Sequence, residues 1–373
     1  MGMGNGKHPV QPSARKIRVL VVDDSALVRR VLSDTINAQP DMEVVGTAPD
    51  PIIAQDKIGP VQPDVMTVDI EMPRMDGLTF LKLIMRDRPM PVIVISSLAQ
   101  ASSRAAIEAM QFGAVDVIPK PGGPFSVGDM KSSLPAKIRA AARARVRRNV
   151  AEPPPPRQAS VPKPPHRASY TQAAGDRVIA IGASTGGTEA LRRVLVDLPP
   201  DCPPILIVQH IPPVFSKAFA DRLDTCCRIH VREAIDGDEV HPGLALIAPG
   251  NFHLTIRKTG GVYRASVGTG PVVSYQRPAA DVLFTSMAEV VGRQAIGVIL
   301  TGMGSDGAQG MLKMKDAGAH TIAQDEESCV VFGMPKEAIR AGAVRQVLPL
   351  DKIGAALVNL RGGRLNSQGR SKR

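Results

Sequence analysis

Val178-Ile-Ala-Ile-Gly-Ala-Ser184-Thr-Gly-Gly-Thr-Glu189 is the stretch on which the reading of the chain turns. Arg177 to Ile181 reads as a short buried strand, Gly182 to Gly187 as a sharp turn, and Thr188 to Val196 has the apolar spacing of a helix. Strand, glycine-flanked serine and helix make up the G-x-S-x-G pattern, in which a tight turn lifts a hydroxyl off the end of a sheet. Glycine tolerates the backbone angles such a turn visits. The helix start beyond it adds a positive dipole end, suited to a developing oxyanion. The same residues also fit a phosphate-binding loop or a plain strand-to-helix connection, so the rest of the chain has to decide.

Downstream, strand and helix patterns go on alternating. Pro204 to Gln209 reads as a strand ending at His210, and Gly243 to Ala248 as a strand closed by Pro249-Gly250-Asn251. His253–Arg257 and Val262–Ser266 read as a hairpin around Gly260-Gly261. Ala295 to Thr301 leads into Gly302-Met-Gly-Ser-Asp306-Gly307, followed by a helix from Ala308 to Ala317 and a strand from His320 to Ala323. Ser184, His210 and Asp306 therefore lie at or beyond the C-terminal ends of strands, which share one edge in a parallel sheet. A hydroxyl, an imidazole and a carboxylate on one edge are the parts of a nucleophile, base and orienter relay. Their order, Ser, His, Asp, is not the Ser, Asp, His order of α/β-hydrolases. A competing reading exists: Gly302-x-Gly304-x-x-Gly307 matches the dinucleotide fingerprint, with Asp325 beyond it. Against that reading, Asp306 would set a carboxylate against a pyrophosphate. His230, His241, His253 and His320 show no metal-ligand spacing and read as structural or surface residues.

Upstream, Ile17–Val22 ends in Asp23-Asp24-Ser25, Asp64–Asp69 ends in an acid, Pro91–Ser96 ends in hydroxyls, and Ala114–Ile118 ends in Pro119-Lys120-Pro121. With Met42–Ala48 these are five strands alternating with helices, which predicts a doubly wound parallel sheet. Carboxylates from Asp23, Asp24 and Asp69 at one edge repel unless a hard cation joins them, and such oxygen ligands suit Mg²⁺. Lys120 and Ser96 offer a point charge and a hydroxyl to a phosphoryl group. The plainer alternative is that these acids cap helices, as Asp24 or Ser25 could.

Between the two alternations, a capping-box spacing at Ser126 to Asp129 predicts a helix to about Val150, stopped by Glu152-Pro-Pro-Pro-Pro156. Prolines 162, 164 and 165 extend this into a semi-rigid linker. The net charge of +11 is concentrated here and in the tail: residues 131–170 carry +9 and 361–373 carry +5, leaving about −3 for the rest of the 373 residues. With no tryptophan and three tyrosines, a nucleic-acid surface is not expected. No apolar run reaches the roughly 18 residues of a membrane span, and Met1–Lys16 lacks the apolar core of a signal peptide. The four cysteines make no C-x-x-C pair. A cytoplasmic monomer without membrane insertion is expected. The expected divisions are an extension over 1–16, a first domain over 17–135, a linker over 136–172, a second domain over 173–362 and a basic tail over 363–373.

Two resemblances follow from these residues. Val22-Asp-Asp-Ser25, Val68-Asp-Ile-Glu-Met-Pro-Arg-Met-Asp-Gly77, Val94-Ile-Ser-Ser97 and Pro119-Lys-Pro121 resemble the response-regulator receiver family. That implies Asp69 as phospho-acceptor, Asp23, Asp24 and Asp69 as Mg²⁺ ligands, and Ser96 and Lys120 as the readout of phosphorylation. Ile181–Leu191, Val208–Pro213, Ala248–Leu254, Leu300–Met311 and Ala323–Pro335 resemble the protein-glutamate methylesterase family of bacterial chemotaxis. That implies hydrolysis of glutamyl methyl esters on chemoreceptors and deamidation of receptor glutamines, with a chemotaxis histidine kinase as phosphodonor. It further implies Ser184 as nucleophile, His210 as base, Asp306 as orienter, backbone donors near Thr185 and Met303, and no cofactor for the hydrolysis. The expected fold is two doubly wound parallel-sheet domains, a flavodoxin-like receiver and a Rossmann-like methylesterase domain with a β-hairpin.

Overall fold

The computed structural model describes residues 15–120, 127–146 and 177–361. The 1–14 extension, most of the linker, the Ser126 cap and the 363–373 tail lie outside them.

Five strands, Ile17–Val22 (β1), Met42–Ala48 (β2), Val65–Asp69 (β3), Val92–Ser96 (β4) and Asp116–Pro119 (β5), alternate with helices Ala26–Asn37 (α1), Pro51–Val61 (α2), Gly77–Asp87 (α3), Gln100–Gln111 (α4) and Val127–Ala142 (α5). Their sheet has the order β2-β1-β3-β4-β5 and every pairing is parallel. This is the flavodoxin-like order, whose ligand crevice opens beside β1 and β3. Strands covered by helices on both faces read as continuous apolar runs; β3 and β4 are buried along their whole length. Helix α5 stops at Ala142, eight residues short of the expected end near Val150. Instead of continuing the helix, Arg145 donates its N–H to Val330 O at 3.0 Å and pairs with Glu326 at 3.1 Å. A tertiary contact with the second domain replaces the next helical turn.

The second alternation runs Val178–Ala183 (β6), Gly187–Leu195 (α6), Ile205–Gln209 (β7), Phe215–Cys226 (α7), His230–Glu233 (β8), Leu244–Ile247 (β9), His253–Thr259 (β10), Val262–Gly268 (β11), Ala280–Val290 (α8), Ala295–Ile299 (β12), Ala308–Asp316 (α9), His320–Gln324 (β13), Met334–Arg340 (α10), Gln346–Leu348 (β14) and Leu350–Arg361 (α11). Seven strands form one parallel sheet in the order β14-β13-β12-β6-β7-β9-β8. β10 and β11 pair antiparallel as the expected hairpin. From β6 the chain builds one half of the sheet through β7 and the other through β12. The topological switch point, where such sheets open a crevice, therefore lies at the end of β6. Ser184 follows β6 directly.

The two domains pack together. Helix α4 of the first lies against α6 and α7 of the second, and one apolar core cluster includes Phe80 and Ile107 as well as Ile179, Leu191 and Phe215. Arg222 Nη2 donates to Gln111 Oε1 at 3.2 Å across the seam. Among the described residues no helix is long and apolar enough to cross a membrane.

Candidate active site

Parallel pairing brings the strand ends together before any side chain is considered. Ala183 is the register partner of Gln209, and His210 N donates to Ala183 O at 3.0 Å, one step beyond the strands. Adjacent strands lie about 4.8 Å apart, so Ser184 and His210 start from neighbouring backbone positions. On the other side, Ser184 N donates to Thr301 O at 3.0 Å. That bond draws in the Gly302–Gly307 loop, which carries Asp306. Gly302 is confined by this approach: a Cβ there would lie 2.7 Å from Ser184 Cβ and 2.4 Å from Met334 Sδ.

His210 Nε2 and Asp306 Oδ2 are 2.7 Å apart, and both residues are buried. An ionised carboxylate only accepts, so Nε2 carries the proton and Nδ1 is left with its lone pair. His210 Nδ1 is buried and has no hydrogen-bond partner, so it is the nitrogen free to take a proton. Ser184, half-buried, is placed near His210 by the pairing of its neighbour Ala183 with Gln209 and His210, and His210 Nδ1 accepts no side-chain hydrogen bond from it. Such bonds are often long in substrate-free sites.

Asp306 has a second task that the chain order hides. Its Oδ2 also accepts Ala280 N–H at 2.7 Å, and its Oδ1 accepts Asp281 N–H at 3.0 Å. The carboxylate therefore caps the N-terminus of α8, whose own N-cap residue, Ala279, supplies no side-chain cap. Burial pushes the Asp306 carboxyl up, but the hydrogen bond and charge of His210 and the N–H groups of Asp281 and Ala280 outweigh it, leaving it below its ordinary value. The dinucleotide reading of this loop meets an occupied helix end: Asp281 Oδ1 accepts Gly310 N–H at 2.7 Å in the first turn of α9.

Thr185 is buried, and its carbonyl accepts from Thr301 Oγ1 at 3.0 Å. Met303 follows Gly302, whose carbonyl accepts Gly333 and Met334 N–H at 3.0 and 2.8 Å. Both proposed donor positions thus flank Ser184 on fixed backbone. The Thr185 hydroxyl crosses to the other domain: Oγ1 donates to Asp116 Oδ2 at 3.0 Å, while Lys137 Nζ holds Asp116 Oδ1 at 2.5 Å. The sequence reading had no signal for this contact, since Asp116 lies 69 residues before Thr185. His253, read as structural, has Nε2 against Pro271 O and Nδ1 accepting Ala279 N–H.

In the first domain, Asp23, Asp24 and Asp69 offer oxygens that all lie within 4.8 Å of one another. Asp23 and Asp69 are fully buried, and Asp23 Oδ2 has no hydrogen-bond partner. Lys120 Nζ lies 2.6 Å from Asp69 Oδ2 and 3.6 Å from Asp23 Oδ2. Burial raises the Asp69 carboxyl to about 6, with Lys120 opposing and Asp23 adding to the rise. Crowded buried carboxylates with an orphaned oxygen fit a hard divalent cation. Ser96 points elsewhere: its Oγ donates to Ser97 O and Ser102 O, both at 3.2 Å, and Ser102 belongs to α4. Ser25 caps α1 through Val28 N. The Ser25 cap and the convergence of Asp23, Asp24 and Asp69 therefore coexist on this stretch.

A receiver-type sheet with an acid cluster, packed on a second sheet whose switch point carries serine, histidine and aspartate, defines a response regulator with a hydrolase-type output domain. Residues 19–129 match the response regulator receiver domain and residues 179–357 the CheB methylesterase domain. The chain belongs to the protein-glutamate methylesterase/protein-glutamine glutaminase family. One such relative, from Syntrophus aciditrophicus, is 54% identical over 92% of this chain and 99% of its own length. Another, from Chromohalobacter salexigens, is 51% identical over 97% and 99%.

Proposed function

We propose that the chain is a phosphorylation-regulated serine hydrolase that removes methyl esters from chemoreceptor glutamates and deamidates receptor glutamines to glutamate. The observation that carries this reading is the His210–Asp306 pair beside Ser184 at the sheet's switch point. Ser184 Oγ attacks the ester or amide carbonyl, and His210 Nδ1 takes its proton. Asp306 holds the imidazole through Nε2 and balances the imidazolium. N–H groups at Thr185 and Met303 meet the oxyanion. His210 then gives that proton to the leaving oxygen or nitrogen, which departs as methanol or ammonia, and water releases the glutamate from the acyl-serine by the reverse steps. No cofactor enters the hydrolysis. The test is methanol release from a methylated receptor fragment together with covalent labelling of Ser184 by a fluorophosphonate. Release without serine labelling would refute the mechanism.

Asp69 is the phospho-acceptor, with a histidine kinase as donor, Asp23, Asp24 and Asp69 holding Mg²⁺, and Lys120 and Ser96 as readout. Asp23, Asp24 and Asp69 would hold Mg²⁺, which when bound would supply charge neutralisation for phosphoryl transfer. The receiver occupies 17–135 and the methylesterase domain 173–362, with 136–172 as linker. Ser96 ties to α4, and α4 lies on α6 and α7, so a hydroxyl drawn toward a phosphoryl group loosens the seam from the receiver side. Asp69→Asn is expected to keep basal methanol release and to lose stimulation by a small-molecule phosphodonor. Equal stimulation of the variant and the wild type would count against this route.

The Asp116–Thr185 contact is one of the bonds the closed state holds. A hydrogen bond to a charged group contributes about 1.5–3 kcal/mol, and each ~1.4 kcal/mol changes a closed-to-open ratio about tenfold. Asp116→Ala, which changes no residue of the catalytic domain, is expected to raise basal methanol release by about tenfold. Unchanged basal release would show that this bond does not restrain opening.

A further inference from the structure

Gln209 is the last residue of β7 and is 3% exposed. Its Nε2 donates to Ser184 O at 2.9 Å and to His210 O at 3.3 Å. Its Oε1 is buried without a partner. The reverse amide orientation would set that oxygen against two carbonyl oxygens, so the bonding itself fixes which atom is nitrogen. An orphaned buried acceptor costs roughly 1–3 kcal/mol. A methionine would fill the same space without that cost, so packing alone does not account for an amide here.

The surroundings are fitted to it. Ser184 O accepts a second bond from Gly187 N at 2.7 Å. A Cβ on Gly187 would stand 2.2 Å from Gln209 Oε1, so the last glycine of the serine turn is the one that admits the amide. The sheet ladder ends with His210 N to Ala183 O. Beyond that point the strand ends are free to diverge, and it is there that one NH₂ group holds both carbonyls.

We propose that Gln209 is a positioning residue for the hydrolysis, bridging the backbone of the residue that bears the hydroxyl to that of the residue that bears the imidazole. The proposal rests on the reading of Ser184 as nucleophile and His210 as base. Gln209 touches neither reacting atom. It sets the separation from which Oγ and Nδ1 meet, and small errors in such a separation are costly, about 10²-fold for 1 Å. The amide also explains why these two carbonyls, at the mouth of a buried site, need no water.

The test uses full-length protein and a methylated receptor fragment. Gln209→Met keeps the volume and removes both donors; Gln209→Glu keeps the shape and faces two carbonyls with a carboxylate. Both are expected to lower kcat by roughly 10- to 100-fold with KM little changed. Fluorophosphonate labelling of Ser184 is expected to slow in proportion, and the Glu variant to be at least as slow as the Met variant. A purely structural role would instead lower the folded fraction and leave the labelling rate per folded molecule intact, which overturns the proposal. So does wild-type kcat in Gln209→Met, or in Gln209→Asn, whose amide is one methylene too short to bridge. Ser184→Ala runs alongside: if it is inactive while Gln209→Met is fully active, the bridge fails and the serine mechanism stands. If Ser184→Ala still releases methanol at the wild-type rate, the serine mechanism itself is wrong.

Discussion

Ser184→Ala is expected to abolish methanol release from methylated receptor, lowering kcat by about 10⁴- to 10⁶-fold. The size of the effect follows from what remains. Without Oγ, His210 has no hydroxyl to deprotonate and no acyl-enzyme forms, so only substrate binding and oxyanion stabilisation by the backbone donors persist. The fold should survive. What holds the turn is backbone: Ser184 N to Thr301 O at 3.0 Å, and Gly187 N and Gln209 Nε2 to Ser184 O. Alanine keeps all three. Loss of one half-exposed hydroxyl is expected to change stability within about 0.5 kcal/mol, as for surface substitutions. A thermal melt matching wild type, with methanol release at background, is the expected pair of results. Turnover near the wild-type rate would remove Ser184 from the mechanism.

Asp306→Asn is expected to lower kcat by about 10⁴-fold, for a reason peculiar to this site. The carboxylate accepts three N–H groups: His210 and Ala280 at Oδ2, Asp281 at Oδ1. An amide can satisfy only one side. If its oxygen takes the Oδ2 position, the NH₂ confronts Asp281 N–H. If its NH₂ takes that position, it confronts Ala280 N–H and requires Nε2 to accept, which moves the imidazole proton to Nδ1. The second arrangement removes the lone pair that would take the serine proton. The first leaves a buried donor unpaired at the start of α8, at roughly 1–3 kcal/mol. The variant should therefore lose activity and also melt lower, whereas Ser184→Ala loses activity alone. Because the Asp306 carboxyl lies below its ordinary value, it stays ionised at neutral pH, and wild-type activity should show no limb from its protonation there. A variant with wild-type kcat would show that tautomer control through Asp306 is not needed.

How much of this was legible beforehand depends on the range of the interaction. The inner strands of the receiver sheet and most of those in the second domain were readable because both faces are buried, so they are largely apolar runs, as in β3, β4, β6 and β7. The edge strands His230–Glu233 and Gln346–Leu348 were not. They are short and partly exposed, and their residues alone resemble loop. The expected helix to Val150 failed because its stop is not proline but a contact: beyond the helix end at Ala142, Arg145 reaches Val330 and also Glu326, which lies 181 residues ahead. Ser96 was expected at the phosphoryl site; it ends β4, but its hydroxyl is turned to α4.

The site divides along the same line. Strand-end placement of Ser184, His210 and Asp306, and of Asp23, Asp69 and Lys120, could be read from the chain because in a parallel sheet one end of every strand meets the same edge. The sequence by itself thus determined the two alternating sheets, the residue types at each edge, and the family they resemble. Only the tertiary structure decided which nitrogen of His210 is held, that Asp306 also caps α8, that Gln209 spans the two strand ends, and that Asp116 grips Thr185 across the seam. Those facts depend on the order β14-β13-β12-β6-β7-β9-β8 and on the docking of α4. Strand order and domain contact are set by packing between segments far apart in the chain, and local periodicity carries no record of them.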